Sequence, residues 1–296
     1  MSLAVDAGIL KLAETKSAVV ATIIVPAYNE EAGIGFVLES LFKAVDGKCQ
    51  VLVIDDGSGD ATSTIASAFP CGVIRHRENR GKGEAMRTGL RHASGKYVIF
   101  IDADGTYPAG FIPQMIDVLD SSDVVYCSRK RGRANIPFLN RVGHKIFHNT
   151  IRCVYGFRGR DYCTGLYGIR KRHLDRMDIV SRGFAIEPEI AIKASRMKLK
   201  MQDIPIRYQP RRGKTKLCSY RAGWEHLKTI LSLLSWQPAA ERRYLTEGTG
   251  LPSDRQAVLT AGNPAILIRA HGRAVVATDE TCFIGDAAGA ESEEGK

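Results

Sequence analysis

The feature that most constrains this chain is a repeated switch between short apolar runs rich in β-branched residues and longer segments with helical spacing. Residues 19–25, VVATIIV, are the first such run and stop at Pro26. A run this short, almost wholly apolar and closed by a turn residue reads as a strand covered on both faces. Residues 30–45 follow with Phe36, Val37, Leu41 and Val45 on one side of a helix. The switch then repeats, with strands predicted at 50–54, 72–75, 97–101 and 123–127 and helices at 61–69, 83–93 and 108–119. Alternation sustained in this way predicts an α/β fold, a mostly parallel sheet with helices on both faces.

Beyond residue 127 the pattern loosens. Helices are expected at 140–155 and 186–197, strands at 165–169 and 200–208, and an amphipathic helix at 219–236. After Pro238 the composition shifts. The runs 265–269 and 274–278, with His271-Gly272 between them, read as a β-hairpin, and the small, acidic residues 287–296 read as disordered. The expected organisation is a lead-in at 1–18, a main domain at 19–236 and a small C-terminal appendage at 237–296.

A length of 296 residues suits one large domain with such an appendage, and 44% hydrophobic with 25% charged residues is ordinary for a globular protein. The net charge of +10 favours anionic partners, whether nucleic acid, a membrane surface or phosphorylated small molecules, and equally suits a solvated basic surface. Nucleic acid is not expected, because only 7% of residues are aromatic and the basic residues are not interleaved with them. The cysteines, at 49, 71, 127, 153, 163, 218 and 282, are scattered and odd in number, which argues against a disulfide framework or a zinc site and fits a cytoplasmic location. Neither a leader peptide nor a membrane span is expected, since no apolar run approaches the roughly 18 residues a span requires.

Ligands of an open parallel sheet bind beyond the carboxyl ends of its strands. Three predicted strand ends carry polar clusters: residues 26–30 (PAYNE), 55–58 (DDGS) and 102–104 (DAD). Turns favour Asp and Gly in any case, yet acidic residues at three ends of one rim point to a shared site. Asp102 and Asp104, one residue apart where the chain leaves the sheet, can turn toward one point. Their hard oxygens suit Mg²⁺ or Mn²⁺, and such an ion neutralises the charge that builds on a leaving nucleotide. Residues 79–84 (NRGKGE), with Lys82, open a helix; the glycines either admit a ligand close to the backbone or simply start the helix. Arg129, Lys130, Arg131, Arg133 and Arg141 form one basic cluster and Arg211, Arg212, Lys214 and Lys216 another. Arginine grips phosphate in a bidentate way, although either cluster also suits a solvated loop.

Taken together, VPAYNEE from Val25, VIDDGS from Val53, NRGKGEAMRTG from Asn79 and the Asp102–Asp104 pair resemble, in order and spacing, the family 2 glycosyltransferases with the GT-A (Rossmann-like) fold. The branch they resemble is that of the dolichyl-phosphate or polyprenyl-phosphate mannosyltransferases and glucosyltransferases. Segments 127–129, 161–170 and 208–217 continue the resemblance, which runs from about residue 19 to 236. It implies a donor pocket that includes Pro26, Ala27, Tyr28, Glu30, Asp56, Lys82 and Ala103. It implies that Asp102 faces the ribose and diphosphate and that Asp104 is the main protein ligand of the metal. Arg129, Arg141, Arg211 and Lys216 would serve the acceptor phosphate and donor diphosphate. Glu187 and Glu189 fall where related hydroxyl-accepting enzymes hold a catalytic carboxylate. The chain departs from the pattern at Thr106, where many relatives carry a side chain, often glutamine, that helps hold the metal, and at 165–170, GLYGIR, where the branch has G-F-R. Many relatives also continue into membrane helices.

The expected reaction is metal-dependent, inverting transfer of a hexose from a nucleotide sugar to a polyprenyl or dolichyl phosphate. GDP-mannose, UDP-glucose and UDP-N-acetylglucosamine are all eligible donors. A phosphate acceptor is already an anion and needs no base, whereas a soluble hydroxyl acceptor needs one, with Glu187 or Glu189 in that role. The helix at 219–236 carries Trp224, Leu227, Ile230, Leu231, Leu234 and Trp236, and either lies on a membrane as a peripheral contact or packs on the core. The rival of another class is an inactive sugar-nucleotide-binding or scaffold protein on the same fold; the intact pair of aspartates argues against it.

Overall fold

The first apolar run becomes strand β1 (Ala21–Ala27), and its alternation decides the layering. Ile23 and Val25 point to one side of the sheet and Ile24 to the other, all fully buried. Helices α1 (Glu31–Ala44), α2 (Thr62–Ser67) and α4 (Ile112–Ser121) carry residues of the first cluster, and α3 (Lys82–Arg91) and α7 (Ile186–Arg196) residues of the second. The computed structural model describes residues 19–132, 135–136, 138–215 and 219–238, and strand backbone at 266–270, 273–278 and 281–283.

β1 pairs in parallel with β2 (Cys49–Asp55) and β4 (Tyr97–Phe100), and β2 with β3 (Gly72–Arg75). β6 (Tyr167–Arg170) runs antiparallel between β4 and β5 (Val124–Arg131), and β5 pairs in parallel with β7 (Met201–Arg207). The seven strands form a mixed, mostly parallel sheet in the order β3-β2-β1-β4-β6-β5-β7. On the β3 edge, β8 (Ile266–Ala270) adds antiparallel, followed by β9 (Arg273–Thr278) and β10 (Thr281–Phe283). The strands that carry the polar clusters therefore lie side by side, and all three open onto one rim.

Three local readings change. Arg129, Lys130 and Arg131 were expected in a loop but close β5, because β7 continues the ladder through Arg129↔Ile206 and Arg131↔Arg207. Position along the strand buries Arg129 while Lys130 and Arg131 stay exposed. The helix expected from 108 begins as a 3-10 turn, Ala109–Phe111, before α4, with Pro113 in the first turn where its missing N–H costs nothing. A short helix, α6 (Lys171–Leu174), was not expected. The helix α5 (Phe138–Tyr155) and α8 (Ser219–Ser232) pack against each other and cover part of the second cluster. Among the described residues no helix is long and apolar enough to cross a membrane. Residues 1–18 and 287–296, read as lead-in and tail, lie outside the described residues, as do Arg133 and Lys216.

Candidate functional site

The rim opens into a cleft of about 510 Å³. Pro26, Ala27, Tyr28 and Glu30 line it from the end of β1, Asp56 from the end of β2, and Asp102, Ala103 and Asp104 from the end of β4. Turn chemistry stitches the first two ends together. The Asn29 N–H donates to the Ser58 hydroxyl at 2.9 Å, and the Gly59 N–H to the Asn29 side-chain oxygen at 2.8 Å. Asn29 takes the left-handed conformation (φ 50°) that asparagine tolerates better than most residues.

Asp56 is an anchor as well as a wall. Its oxygens accept the N–H groups of Arg80 at 3.0 Å and Gly81 at 2.7 Å, and face Nδ1 of buried His76 at 2.7 Å. His76 Nε2 lies 2.9 Å from the Thr88 hydroxyl on α3. Asp56 thus fixes the loop before α3. The glycines of that loop approach the chain itself: a Cβ on Gly83 would lie 2.3 Å from the Ser181 carbonyl oxygen, and one on Gly81 2.6 Å from that of Arg182. The close backbone approach read from the sequence is therefore made to residues 181–182.

That contact delivers Lys82 to the cleft floor. Its ammonium lies 2.7 Å from Asp102 and 2.6 Å from Glu187, which sits in the first turn of α7. Burial by itself lowers a lysine pKa, but the charges of Asp102 and Glu187 outweigh it and hold Lys82 well above the usual range. On the far side of Asp102 there is room only for glycine, since a Cβ on Gly165 would lie 1.9 Å from its carboxylate.

Asp104 is nearly buried. Its Oδ1 accepts the Thr106 N–H at 3.0 Å and the Thr106 hydroxyl at 2.5 Å, and its Oδ2 accepts from Arg211 at 2.5 Å. Thr106 therefore holds the carboxylate in place. The other arm of the Arg211 guanidinium donates to Glu30. Burial and then the neighbouring Asp102 charge push the Asp104 carboxyl above the ordinary aspartate range, against the Thr106 hydrogen bond and Arg211. Two carboxylates that repel in this way are suited to share a hard cation. Among the described residues no three His, Cys, Asp or Glu side chains converge to hold an ion by themselves. An ion here would take its further oxygens from water or from a ligand, and a diphosphate is such a ligand.

The remaining residues from the sequence lie elsewhere. Arg129 is buried and forked on Asp161, at 2.6 and 2.8 Å, and its charge keeps Asp161 below the usual range despite burial. Arg141 is exposed on α5, over the Phe138 ring. Glu189 spends its oxygens on the N–H groups of Val180 and Ser181, at 3.0 and 2.8 Å, and on buried Lys193 at 2.5 Å, so it fastens the segment before α7. Sequence reasoning missed Asp161, although DYCTG was read as a motif, and missed Arg221 and Glu225, which α8 brings to the cleft mouth. Only the packing of α8 reveals those two.

Residues 22–177, just over half of the chain, match the family description Glycosyl transferase family 2. The chain belongs to that family. It is a glycosyltransferase, and the mixed sheet is its GT-A fold. A dolichyl-phosphate hexose transferase of Haloferax volcanii is 30% identical over 71% of this chain and 92% of its own length. A dolichol-phosphate mannosyltransferase of Pyrococcus furiosus is also 30% identical, over 75% of this chain, which spans 65% of that longer protein. The solved structure of glucosyl-3-phosphoglycerate synthase from Mycobacterium tuberculosis, in complex with Mn²⁺, UDP and glucosyl-3-phosphoglycerate, aligns with a TM-score of 0.57 at 22% identity and covers 73% of this chain and 80% of that one. This likeness supports the fold.

Proposed function

We propose that this glycosyltransferase moves a hexose from a GDP- or UDP-linked donor to a lipid phosphate of the polyprenyl type, with Mg²⁺ or Mn²⁺. The observation that carries the reading is the Asp102–Asp104 pair at the rim of the cleft, with Lys82 and Arg211 beside it. Asp102 and Asp104 would hold the ion, which when bound neutralises charge on the departing nucleoside diphosphate. Pro26, Ala27, Tyr28 and Asp56 would receive the nucleotide, with Glu30 at its phosphate end. Lys82 keeps Asp102 turned toward the donor and adds positive charge at the floor.

The acceptor reading rests on two further observations. First, neither glutamate is free to serve as a base. Glu187 is neutralised by Lys82 and Glu189 is bound into a loop. An acceptor that is already an anion needs no base, and the protein's work is then positioning and electrostatics. Second, α5 exposes Phe138, Val142 and Ile146, and α8 with the turn after it exposes Tyr220, Trp224, Leu227, Leu231 and Leu234. Exposed Arg141, Lys145, Arg221 and Lys228 flank these residues. Ile230 of α8 is buried and Trp236, beyond its end, half-buried, so the stripe splits between core and surface. An apolar face rimmed by cations is the character of a helix lying on an anionic membrane, and it adjoins the cleft mouth at Arg221. The names of the two archaeal relatives, which carry dolichyl and dolichol phosphate, support the same acceptor.

The test is nucleoside diphosphate release with Mn²⁺ from GDP-mannose, UDP-glucose and UDP-N-acetylglucosamine, each with and without a short polyprenyl phosphate. Release that requires the lipid supports the proposal and identifies the donor. Lipid-independent release to a sugar or other small hydroxyl acceptor would replace it with the soluble-acceptor reading, and Glu187, the carboxylate nearer the cleft, would then be the base. Nucleotide-sugar binding with no transfer under any condition would leave a binding protein.

A further inference from the structure

Arg211 lies where the ion of the proposed reaction would compete with it. The guanidinium bridges Glu30 and Asp104, from the ends of β1 and β4, and closes the gap between them. Both oxygens of Asp104 are engaged, Oδ1 by Thr106 and Oδ2 by Arg211. The segment that carries Arg211 is laid over the pair by its own backbone. The Gln209 N–H donates to the Thr106 carbonyl and the Arg212 N–H to the Asp104 carbonyl, both at 2.9 Å. The Arg212 guanidinium stacks on the Phe36 ring at 3.9 Å, and Gly213 makes the turn that follows with φ 84°.

We propose that Arg211 is an exchangeable counter-cation, which neutralises Glu30 and Asp104 until a divalent ion takes Asp104 Oδ2 and releases the guanidinium. Three features of the site support exchange over a permanent ion pair. The Arg211 side chain is about a quarter exposed, so water can reach it, whereas Arg129 on Asp161 is buried on both sides. The strap is anchored by backbone hydrogen bonds on either side of Arg211, so the side chain can swing without unfolding the segment. Glu30 and Asp104 share the one guanidinium, and a dication that arrives at Asp104 as the guanidinium leaves keeps that nearly buried carboxylate paired throughout. Once released, the guanidinium stays at the donor's diphosphate and is available to it in bidentate form. Loading of the site and arming of Arg211 become one event.

This inference rests on the metal site proposed above, and the experiment separates the two. Mn²⁺ alone, without nucleotide, is titrated into the full-length protein and free Mn²⁺ is read by electron paramagnetic resonance. Arg211→Gln, which keeps most of the side chain without its charge, should bind Mn²⁺ about tenfold tighter than the wild type, the effect of removing a unit charge about 6 Å from a dication in a water-like dielectric. Arg211→Lys should stay near the wild type, and Asp104→Asn should lose binding. The thermal midpoint should rise more on Mn²⁺ addition in Arg211→Gln than in the wild type. Unchanged or weaker Mn²⁺ binding in Arg211→Gln, with binding still lost in Asp104→Asn, would overturn the exchange and leave the metal site standing. No Mn²⁺ binding by any of the proteins would overturn both.

Discussion

Replacing Lys82 by Met tests the floor of the cleft. The substitution keeps most of the stem and removes the charge that Asp102 and Glu187 share at 2.7 and 2.6 Å. The two carboxylates do not suffer equally. The Asp102 side chain is 26% exposed and can be rehydrated, while that of Glu187 is 5% exposed and is left as a buried charge without its partner. Removing one member of a buried pair costs about 3–5 kcal/mol, and the relief available to Asp102 puts the expected loss near the lower end, about 3 kcal/mol. In a domain of this size that is a fall in thermal midpoint of about 6–12 °C. The pH dependence follows from the direction of the Lys82 shift. Its folded pKa is raised, so its contribution is fully present below the lysine range and is lost only as the pH climbs through the folded value, far on the alkaline side. The stability gap should therefore be fully present at pH 8 and should shrink only far on the alkaline side. Urea melts followed by circular dichroism at pH 8 measure it. A gap below about 1 kcal/mol at pH 8 would refute the view that Lys82 neutralises a buried glutamate.

Three further outcomes are expected. Asp104→Ala should abolish metal-dependent nucleoside diphosphate release with the circular dichroism spectrum unchanged; full activity in this variant would remove the metal assignment. Gly165→Ala places a Cβ 1.9 Å from the Asp102 carboxylate, so Asp102 must shift from its place beside Lys82. Calorimetry should then show a nucleotide–Mn²⁺ affinity about tenfold weaker or worse, the size of losing one charged contact, and an unchanged affinity would show that Asp102 does not meet the donor. Changing exposed Trp224 and Leu231 together to Ser removes two anchors of α8 without touching its buried face. Sedimentation with anionic vesicles should drop severalfold, while equal sedimentation would separate the lipid acceptor from this face.

The sheet was legible because its strands are local and nearly all apolar. Runs such as Ile23-Ile24-Val25 can satisfy both faces of a covered sheet and little else, and the predicted elements match those observed to within a few residues at most ends. The β5 end was not legible, because Arg129, Lys130 and Arg131 look like a loop until β7 lies beside them to pair with. In the cleft, the residues at strand ends could be read from spacing alone, since β1, β2 and β4 are neighbours in any sheet of this type. Residues that act through another side chain could not. Thr106 and Gly165 stood out only as departures from a family pattern, and their roles exist only against Asp104 and Asp102.

The same reasoning explains why Glu187 and Glu189, adjacent in the sequence reading, separate in the structure. Both belong to the first turn of α7, where acidic residues favour the helix dipole. Two residues along a helix turn the side chain by about 200°, so only one of the pair can face the cleft. Glu187 meets Lys82, which reaches it because Gly81 and Gly83 let the start of α3 press against residues 181–182. Glu189 faces the other way and ties down the N–H groups of Val180 and Ser181, next to that same contact. One glutamate thus neutralises the cation of the cleft floor and the other fixes the segment that brings the floor together. A general base would have to leave the first of these tasks to perform its own, which supports the acceptor proposed above, one that arrives already charged.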